Sequence, residues 1–351
     1  IKNMRALFIT LVVFFSTNVV KSQGFESILI ASDDASLLME NYTNPVIRGL
    51  MSDMNNGWYT TAKTHKKLGF DVTITANVAL VPKSDEMFAF IPTDYSYLSL
   101  PNGENELPTL MSSSNTDTRV NVQIDNGNGT FNVASFDMPG GIKDDLPINA
   151  VPTPMVQFGL GLPFKTDIKL RVVPKISFDD NLETNLFGLG LQHDLMQYLG
   201  PLENLPLNVS LLAAFTNMKV TYTIGDDDLS DDIISSNALA EFKMKTWTLQ
   251  ALASLDFKIL TVYGGVGYNN GTATTKIKGD YTINYDVEDG SGNFINTVSE
   301  IISNPINLDF SANNIKATLG ARINIGFFKI FTDYSFQKYN TVTAGIAFSF
   351  R

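Results

Sequence analysis

The two imidazoles, His65 and His193, are the side chains in this sequence best suited to proton transfer or metal binding, because the chain holds no cysteine. His65 lies among three lysines between positions 63 and 67, whose positive charges disfavour a bound cation. His193 precedes Asp194, but a catalytic pair also needs a nucleophile, and no Gly-x-Ser-x-Gly motif is present. No other feature of the sequence supports a hydrolase. We therefore predict no catalytic residue, no metal ligand and no cofactor.

Acidic runs at 226–232 and 286–292 are the remaining candidates for cation binding. Calcium prefers several carboxylate oxygens, yet neither run has the spacing of a calcium loop. We interpret both runs as solvated hairpin loops, with a calcium site as the alternative for the first. The formal net charge of −11 disfavours nucleic acid as a partner.

Charged residues also occur inside segments that otherwise alternate apolar and polar residues. We expect them to form pairs of opposite charge that anchor a neighbouring segment; the alternative is that a cation among them holds the carboxylate of a ligand. The acidic members are Asp71, Asp167 and Asp256, and the basic members are Lys169, Arg171 and Arg322.

Period-two alternation, the pattern of strands, dominates the chain from about residue 70 onward. Phe70 to Leu80 and Trp247 to Phe257 are examples, and both exceed the usual five or six residues of globular strands. Only 17% of residues are charged, against about 25% in soluble domains. A soluble β-sandwich would also alternate, but strand length and aromatic strand ends favour an all-β, closed antiparallel transmembrane β-barrel of roughly 14 strands.

The first 22 residues have the three parts of a cleaved secretory signal. A basic start with Lys2 and Arg5 precedes a ten-residue apolar run, and Ser22 precedes the expected cleavage site. An N-terminal anchor is the alternative. No later apolar run approaches the about 20 residues of a membrane helix. We predict a signal peptide at 1–22, a helical plug segment at 23–67 and an outer-membrane barrel at 68–351.

The plug segment does not alternate and carries helical signals. We expect two or three short helices with a break at Asn44-Pro45, lying inside or under the barrel; a helical pair outside the lumen is the alternative. The predicted apolar ligand-lining residues are Leu38, Met39, Ile47 and Met51, and the predicted plug motif is Asn44, Pro45, Gly57 and Trp58.

The layout of signal, helical segment with Asn44-Pro45, barrel and penultimate Phe350 resembles the FadL-type outer-membrane family. That resemblance implies a fourteen-stranded barrel with an N-terminal hatch that moves hydrophobic molecules. The hatch element of the family is Asn-Pro-Ala, and Val46 departs from it. Residues 57–71 are similar to an uncharacterised outer-membrane family from Bacteroidota.

Two functional classes follow. The first is porin-like, FadL-like passage of small hydrophobic molecules across the outer membrane of a Gram-negative bacterium, with membrane lipid and hydrophobic small molecules as partners. The alternative is a non-transporting structural or assembly subunit, with other outer-membrane proteins as partners. An adhesin is the third reading, disfavoured because no loop looks long enough to form a domain.

Overall fold

The computed structural model describes residues 32–114, 118–125, 130–178, 181–198, 200, 206–225, 233–288 and 294–350. The signal peptide expected at 1–22 and the acidic run 226–232 lie outside the described residues, as do 289–292 of the second acidic run.

The described residues contain one α-helix, α1 (Ser32–Met54), sixteen strands and five single-turn 3₁₀ helices. The 3₁₀ helices are Lys83–Asp85, Pro92–Asp94, Pro101–Gly103, Lys143–Asp145 and Met196–Tyr198. The strands are β1 (Phe70–Leu80), β2 (Met87–Ala89), β3 (Leu98–Ser99), β4 (Glu106–Pro108), β5 (Thr118–Asp125), β6 (Thr130–Met138), β7 (Ala150–Leu162), β8 (Thr166–Phe178), β9 (Leu182–Asp194), β10 (Leu207–Thr223), β11 (Ile233–Asp256), β12 (Leu260–Glu288), β13 (Phe294–Ser303), β14 (Ile306–Ile325), β15 (Phe328–Phe336) and β16 (Thr341–Phe350).

Ten strands close into an antiparallel barrel. The ring runs β1-β7-β8-β9-β10-β11-β12-β14-β15-β16 and returns to β1, which pairs with both β7 and β16. The all-β closed barrel is therefore confirmed, but the expected number of about 14 strands is wrong. In this ring each of the ten strands has a partner strand on both sides, an arrangement that suits lipid because lipid offers no hydrogen-bond partner to a free sheet edge.

The surplus of predicted strands has one source. Three alternating segments, at about 85–92, 118–125 and 129–137, belong to an insert at 81–149 that joins β1 to β7 and forms two small sheets of its own. β13, which the alternation did not predict, pairs with the far part of β12 beyond the ring. Alternation marks a strand but does not say which sheet it joins, so counting segments overestimates the wall. The insert has secondary structure of its own, but its apolar residues share one cluster with α1 and the wall.

In the half of the wall nearest the turns 163–165, 257–259 and 326–327, apolar residues face outward and most inward residues are polar. In β1, Ile74 is exposed whereas Thr73, Thr75 and Asn77 are buried. On β11 the outward apolar side chains run from Trp247 to Leu255, about 26 Å along the strand before tilt, comparable to the lipid-facing band of about 25 Å. This is the reverse of a soluble sandwich and excludes a dry centre between two stacked sheets.

The barrel has two unlike ends. The turn end carries the connections 163–165, 257–259 and 326–327, and the loop end carries the insert and the outer part of the β11–β14 strands. β12 has 29 residues, far more than the 9–11 that a tilted spanning strand needs, so it extends past the apolar band at the loop end. Among the described helices, none combines the length and apolar character required to span a bilayer.

Within residues 32–69, the described part of the N-terminal segment, the structure differs from the expected short helices. One helix of 23 residues continues through Pro45, and an irregular stretch to Gly69 follows instead of a second helix after Trp58. A proline inside a helix costs about 3 kcal/mol. Burial around the proline, with Tyr42, Val46 and Ile47 all buried, offsets that cost in a way that local sequence signals do not register.

Candidate functional site in the barrel lumen

Residues 32–69 run lengthwise through the lumen from the loop end to the turn end. At the start of α1, the Asp34 carboxylate accepts hydrogen bonds from the backbone N–H groups of Ser96 and Tyr97 in the insert, at 2.9 and 2.7 Å. At the other end, the Leu68 N–H donates to Gly161 O on β7 at 2.8 Å, just before β1 begins. Between these points, α1 contacts β1, β7, β11, β12 and β14, so wall surrounds it.

Two cations of the wall hold the C-terminal end of α1. The fully buried Arg171 guanidinium donates to Met54 O at 3.0 Å and Asn56 O at 2.7 Å, and Lys316 Nζ donates to Asn55 O at 3.0 Å. A helix end carries unpaired carbonyls and partial negative charge. The last turn of α1 contains no basic residue, so the barrel supplies the positive charge.

The turn after α1 depends on Asn56 and Gly57. The Asn56 side-chain oxygen accepts from Lys316 Nζ at 2.8 Å and from the Ser335 hydroxyl at 2.9 Å. Gly57 has φ +70, and a Cβ there would lie 2.9 Å from the Asn77 amide oxygen. Glycine is favoured here both by the left-handed backbone and by the close approach to β1.

Trp58 packs against a patch of wall without side chains. Its indole lies over Gly188 and Gly190 of β9, where an added Cβ would come within 3.1 and 3.0 Å of the ring. The Arg171 guanidinium also lies over the ring, with its central carbon 3.7 Å from the ring centroid. The period-two glycines therefore make room for the indole, and Arg171 adds a cation–π contact.

Charges at the turn end fix the last part of the threaded segment. Asp167 accepts from the His65 backbone N–H at 2.9 Å, and its other oxygen is 2.9 Å from His65 Nδ1. Lys169 is buried and interacts favourably with Asp71 and Asp167. Arg322 is 3.9 Å from the Asp256 carboxylate and donates to the Thr60 hydroxyl at 3.0 Å. Among the six expected charges, the ion pair within 4 Å is therefore Arg322–Asp256, while Asp167 contacts His65 and Arg171 binds carbonyls.

The loop half of the lumen is apolar. Leu38, Ile47 and Met51 of α1 are buried there, and Met39 is half-buried. Their surroundings are inward-facing wall residues, among them Met155, Leu186, Met218, Met244, Phe310, and insert residues, among them Phe90, Leu107, Met111 and Phe136. The predicted ligand residues therefore divide between this apolar half and the charged half that holds Lys169, Arg171 and Arg322, and ligand binding by either group stays a prediction.

The wall between β7 and β8 is only partly closed. Their pairing runs from Leu162↔Thr166 to Gln157↔Arg171 and, in the described residues, does not continue toward the loop end, although each strand has 13 residues. Gly161 exchanges hydrogen bonds with the β1 side, so by alternation the even-numbered β7 residues point their N–H toward β8. Pro152 and Pro154 occupy such positions and have no N–H to donate. The same register would put Pro174 of β8 opposite Pro154. We call the unpaired parts of the two strands, residues 150–156 of β7 and 172–178 of β8, the β7–β8 seam.

Each of the two histidines contacts polar groups of the wall. His193 Nδ1 is 2.7 Å from the Thr166 hydroxyl, while Asp194 accepts from the Met196 backbone N–H at 2.7 Å. The described residues contain no group of three or more potential His, Asp or Glu ligands placed to hold a metal ion. Sequence reasoning missed Lys316, Asn77 and the seam; only the prolines at 152, 154 and 174 gave a signal for the last, since proline is rare inside a sheet.

The class of protein follows from this architecture: a closed antiparallel barrel with an apolar outer band is that of outer-membrane β-barrel proteins. The chain belongs to a family of unknown function (DUF6588), whose profile matches residues 1–350. No curated protein matches the sequence.

The solved structures that are similar to this chain are also barrels, and their sequence identity to it is low. The translocator domain of autotransporter NalP from Neisseria meningitidis has 10% identity and a TM-score of 0.29, over 94% of this chain and 100% of that chain. Ail, the attachment invasion locus protein of Yersinia pestis, has 9% identity and a TM-score of 0.25, over 81% and 100%. A mutant of the TodX monoaromatic hydrocarbon channel has 7% identity and a TM-score of 0.23, over 89% and 99%.

Proposed function

We propose that the protein lets small hydrophobic molecules pass the outer membrane of a Gram-negative bacterium by way of the β7–β8 seam. The seam is the observation that carries the proposal. Unpaired strand edges in a membrane wall are costly unless a group other than lipid meets them, so a seam maintained by prolines has a stability cost that a purely structural wall avoids.

The position of the seam supports a hydrophobic cargo. Val151 and Met155 of β7 face inward beside it and belong to the apolar half of the lumen. A molecule in that half would meet apolar side chains on the inside and lipid beyond the wall, with no polar zone between. The charged half, which Arg171 and Lys316 fill together with the threaded segment, would stay closed to ions.

The more specific predictions made from the sequence are also part of this proposal. A cleaved signal peptide and an outer-membrane location are consistent with the barrel class. The succession of plug and barrel is similar to FadL-type proteins and to the Bacteroidota family that shares their layout, but the ten-strand ring departs from fourteen strands. The likeness therefore concerns layout and not barrel size.

Restoring the missing N–H donors tests the proposal. In the variant Pro152→Val/Pro154→Val, β7 gains two donors that face β8, and we expect the seam to close. Uptake of the hydrophobic dye N-phenyl-1-naphthylamine by a Gram-negative host expressing the barrel should fall at least about fivefold, the effect of raising a passage barrier by about 1 kcal/mol.

A matched control uses two prolines of the insert, Pro92→Val/Pro101→Val, which should leave dye uptake unchanged. Both variants must keep heat-modifiable migration on unboiled gels, the sign of an intact barrel. Equal uptake by the seam variant and the unaltered protein would count against passage through the seam.

A second candidate function, a structural subunit of a larger complex, is favoured by β13. This strand pairs with β12 on one side only, and no other described strand covers its outer edge. Ile301 on it is 68% exposed. An open edge beyond the membrane is suited to pairing with a strand of another protein. Ile301→Lys should release such a partner from the detergent-extracted complex in native mass spectrometry and leave dye uptake intact.

A further inference from the structure

Five lysines cluster on the outer wall of the barrel near the loop end, and we call them the lysine patch: Lys219, Lys243, Lys245, Lys276 and Lys278. They belong to three consecutive wall strands, β10, β11 and β12, with Lys219 directly opposite Lys243. Four carboxylates lie near these lysines: Glu241 within the patch, Glu183 of β9 opposite Thr221, Asp280 two residues beyond Lys278, and Asp309 of β14 opposite Thr274. The patch therefore carries more cations than carboxylates in a chain whose net charge is −11.

Glu241 gathers three of these lysines around one carboxylate. Lys243 and Lys278 donate to its Oε1 at 2.9 and 2.8 Å, and Lys219 Nζ is 3.1 Å from its Oε2. The Glu241 side chain is only 8% exposed, whereas the three lysine side chains are 40–48% exposed. Each ammonium group has three donors. One inner carboxylate therefore fixes three convergent cations and leaves their outer donors open to the surroundings.

The patch lies directly above an aromatic belt. Phe215 is paired with Trp247, and the Trp247 ring is 5.5 Å from that of Tyr268. One outward position further along β11 is Lys245, and the next is Lys243. Aromatic belts mark the boundary between the acyl chains and the headgroups. The lysines therefore lie at the level where lipid phosphates are found.

We propose that the lysine patch is a binding site for a phosphate-bearing lipid of the outer leaflet, with Lys219, Lys243 and Lys278 contacting the phosphate and Glu241 positioning them. The acyl chains of that lipid would lie along the apolar residues below the belt, on the outer faces of β10 to β12. This inference rests on the outer-membrane location in the proposed function but not on passage through the seam, so either can fail alone.

Native mass spectrometry of the full-length protein in detergent tests the site. The probes are bisphosphorylated lipid A and the same lipid without its phosphates. The variant Lys219→Gln/Lys243→Gln/Lys278→Gln should bind bisphosphorylated lipid A at least about tenfold more weakly than the unaltered protein. The control Lys63→Gln/Lys66→Gln/Lys67→Gln removes the same charge at the turn end and should change affinity less than about twofold.

A second variant separates a positioned site from simple attraction. Glu241→Gln raises the net positive charge of the patch, so unspecific attraction predicts tighter binding, whereas loss of lysine positioning predicts weaker binding. Weaker binding by Glu241→Gln supports the proposal. Tighter binding, equal losses in the two lysine variants, equal binding of the lipid without phosphates, or comparable affinity for inorganic phosphate alone would each overturn it. Heat-modifiable migration confirms that every variant is folded.

Discussion

At the scale of single residues, the lumen uses its buried cations to bind backbone carbonyls. Arg171 and Lys316 donate to the last residues of α1 and to those just after it. Removing a buried charge from water is costly unless all its donors find acceptors. The free carbonyls of a helix end are suitable acceptors for these donors. The carbonyls carry no net charge, and the negative end of the helix dipole stabilises the positive charge of the two side chains.

Arg171→Met should loosen the threaded segment. The change removes charge-assisted hydrogen bonds to Met54 O and Asn56 O and the contact with Trp58. We expect a loss of about 2–4 kcal/mol in the free energy of unfolding. In a Trp247→Phe background Trp58 is the sole tryptophan, so its emission should shift to the red.

The control for that variant is Arg119→Met, which removes an exposed guanidinium bound to Ser135 in the insert. Its Trp58 emission and unfolding free energy should match those of the unaltered protein. An Arg171 variant that behaves like this control would mean that Arg171 does not hold the segment.

At the scale of elements, α1 and the insert form one unit at the loop end. The Leu110 N–H donates to Tyr42 O at 2.8 Å, and the Tyr42 hydroxyl donates to Gly140 O at 3.1 Å. Insert side chains such as Leu107 and Met111 complete the apolar cluster around α1. This tertiary packing, more than intrinsic propensity, explains a 23-residue helix that contains a proline.

Acid should loosen the insert through Asp144. Its carboxylate accepts from the Ser113 hydroxyl, and from the backbone N–H and hydroxyl of Ser114, and these hydrogen bonds lower the pKa of Asp144 below its usual 3.8. A depressed pKa in the folded state stabilises above the pKa of the unfolded chain, and the stabilisation is lost as pH falls through the folded pKa. The protection factors for amide hydrogen exchange near 112–145 should therefore fall below about pH 4.

Asp144→Asn should remove most of that pH dependence. Asp137→Asn, at an exposed position on β6, serves as the control and should keep it. If the protection factors fall equally in all three proteins, groups other than Asp144 govern the acid response.

At the scale of the whole molecule, the lumen of the barrel is filled along the barrel axis. Polar inward residues and the threaded segment occupy the turn half, and apolar residues of α1, wall and insert occupy the loop half. An open aqueous pore is not expected from this packing. Any passage must therefore use the wall, which gives the β7–β8 seam its importance.

Deleting residues 32–67 should open the lumen. Without the segment, the inward groups of the wall would meet water, and conductance in planar bilayers should rise from near the baseline to that of an open channel. Deleting 126–129, a connection between β5 and β6 in the insert, is the control and should leave conductance low. Low conductance in both would mean that the wall collapses or that other residues close it.

The sequence alone determined what is local. Alternation at period two identifies strands and their outward apolar faces, because a strand turns its side chains to opposite sides regardless of its partner. The sequence also predicted that six charges pair with opposite charges, but it did not identify their partners; they are Asp71, Asp167, Asp256, Lys169, Arg171 and Arg322. The threaded segment carried a visible signal in Gly57, which belongs to the predicted plug motif.

Only the tertiary structure decided what depends on distant parts of the chain. The number of strands in the ring follows from long-range pairing, which places β2 to β6 in two other sheets and leaves β13 outside the ring. The continuity of α1 through Pro45 and the carbonyl partners of Arg171 follow from the path of the segment inside the wall. These are contacts between residues far apart in sequence, and their free energy exists only once the barrel has closed around the segment.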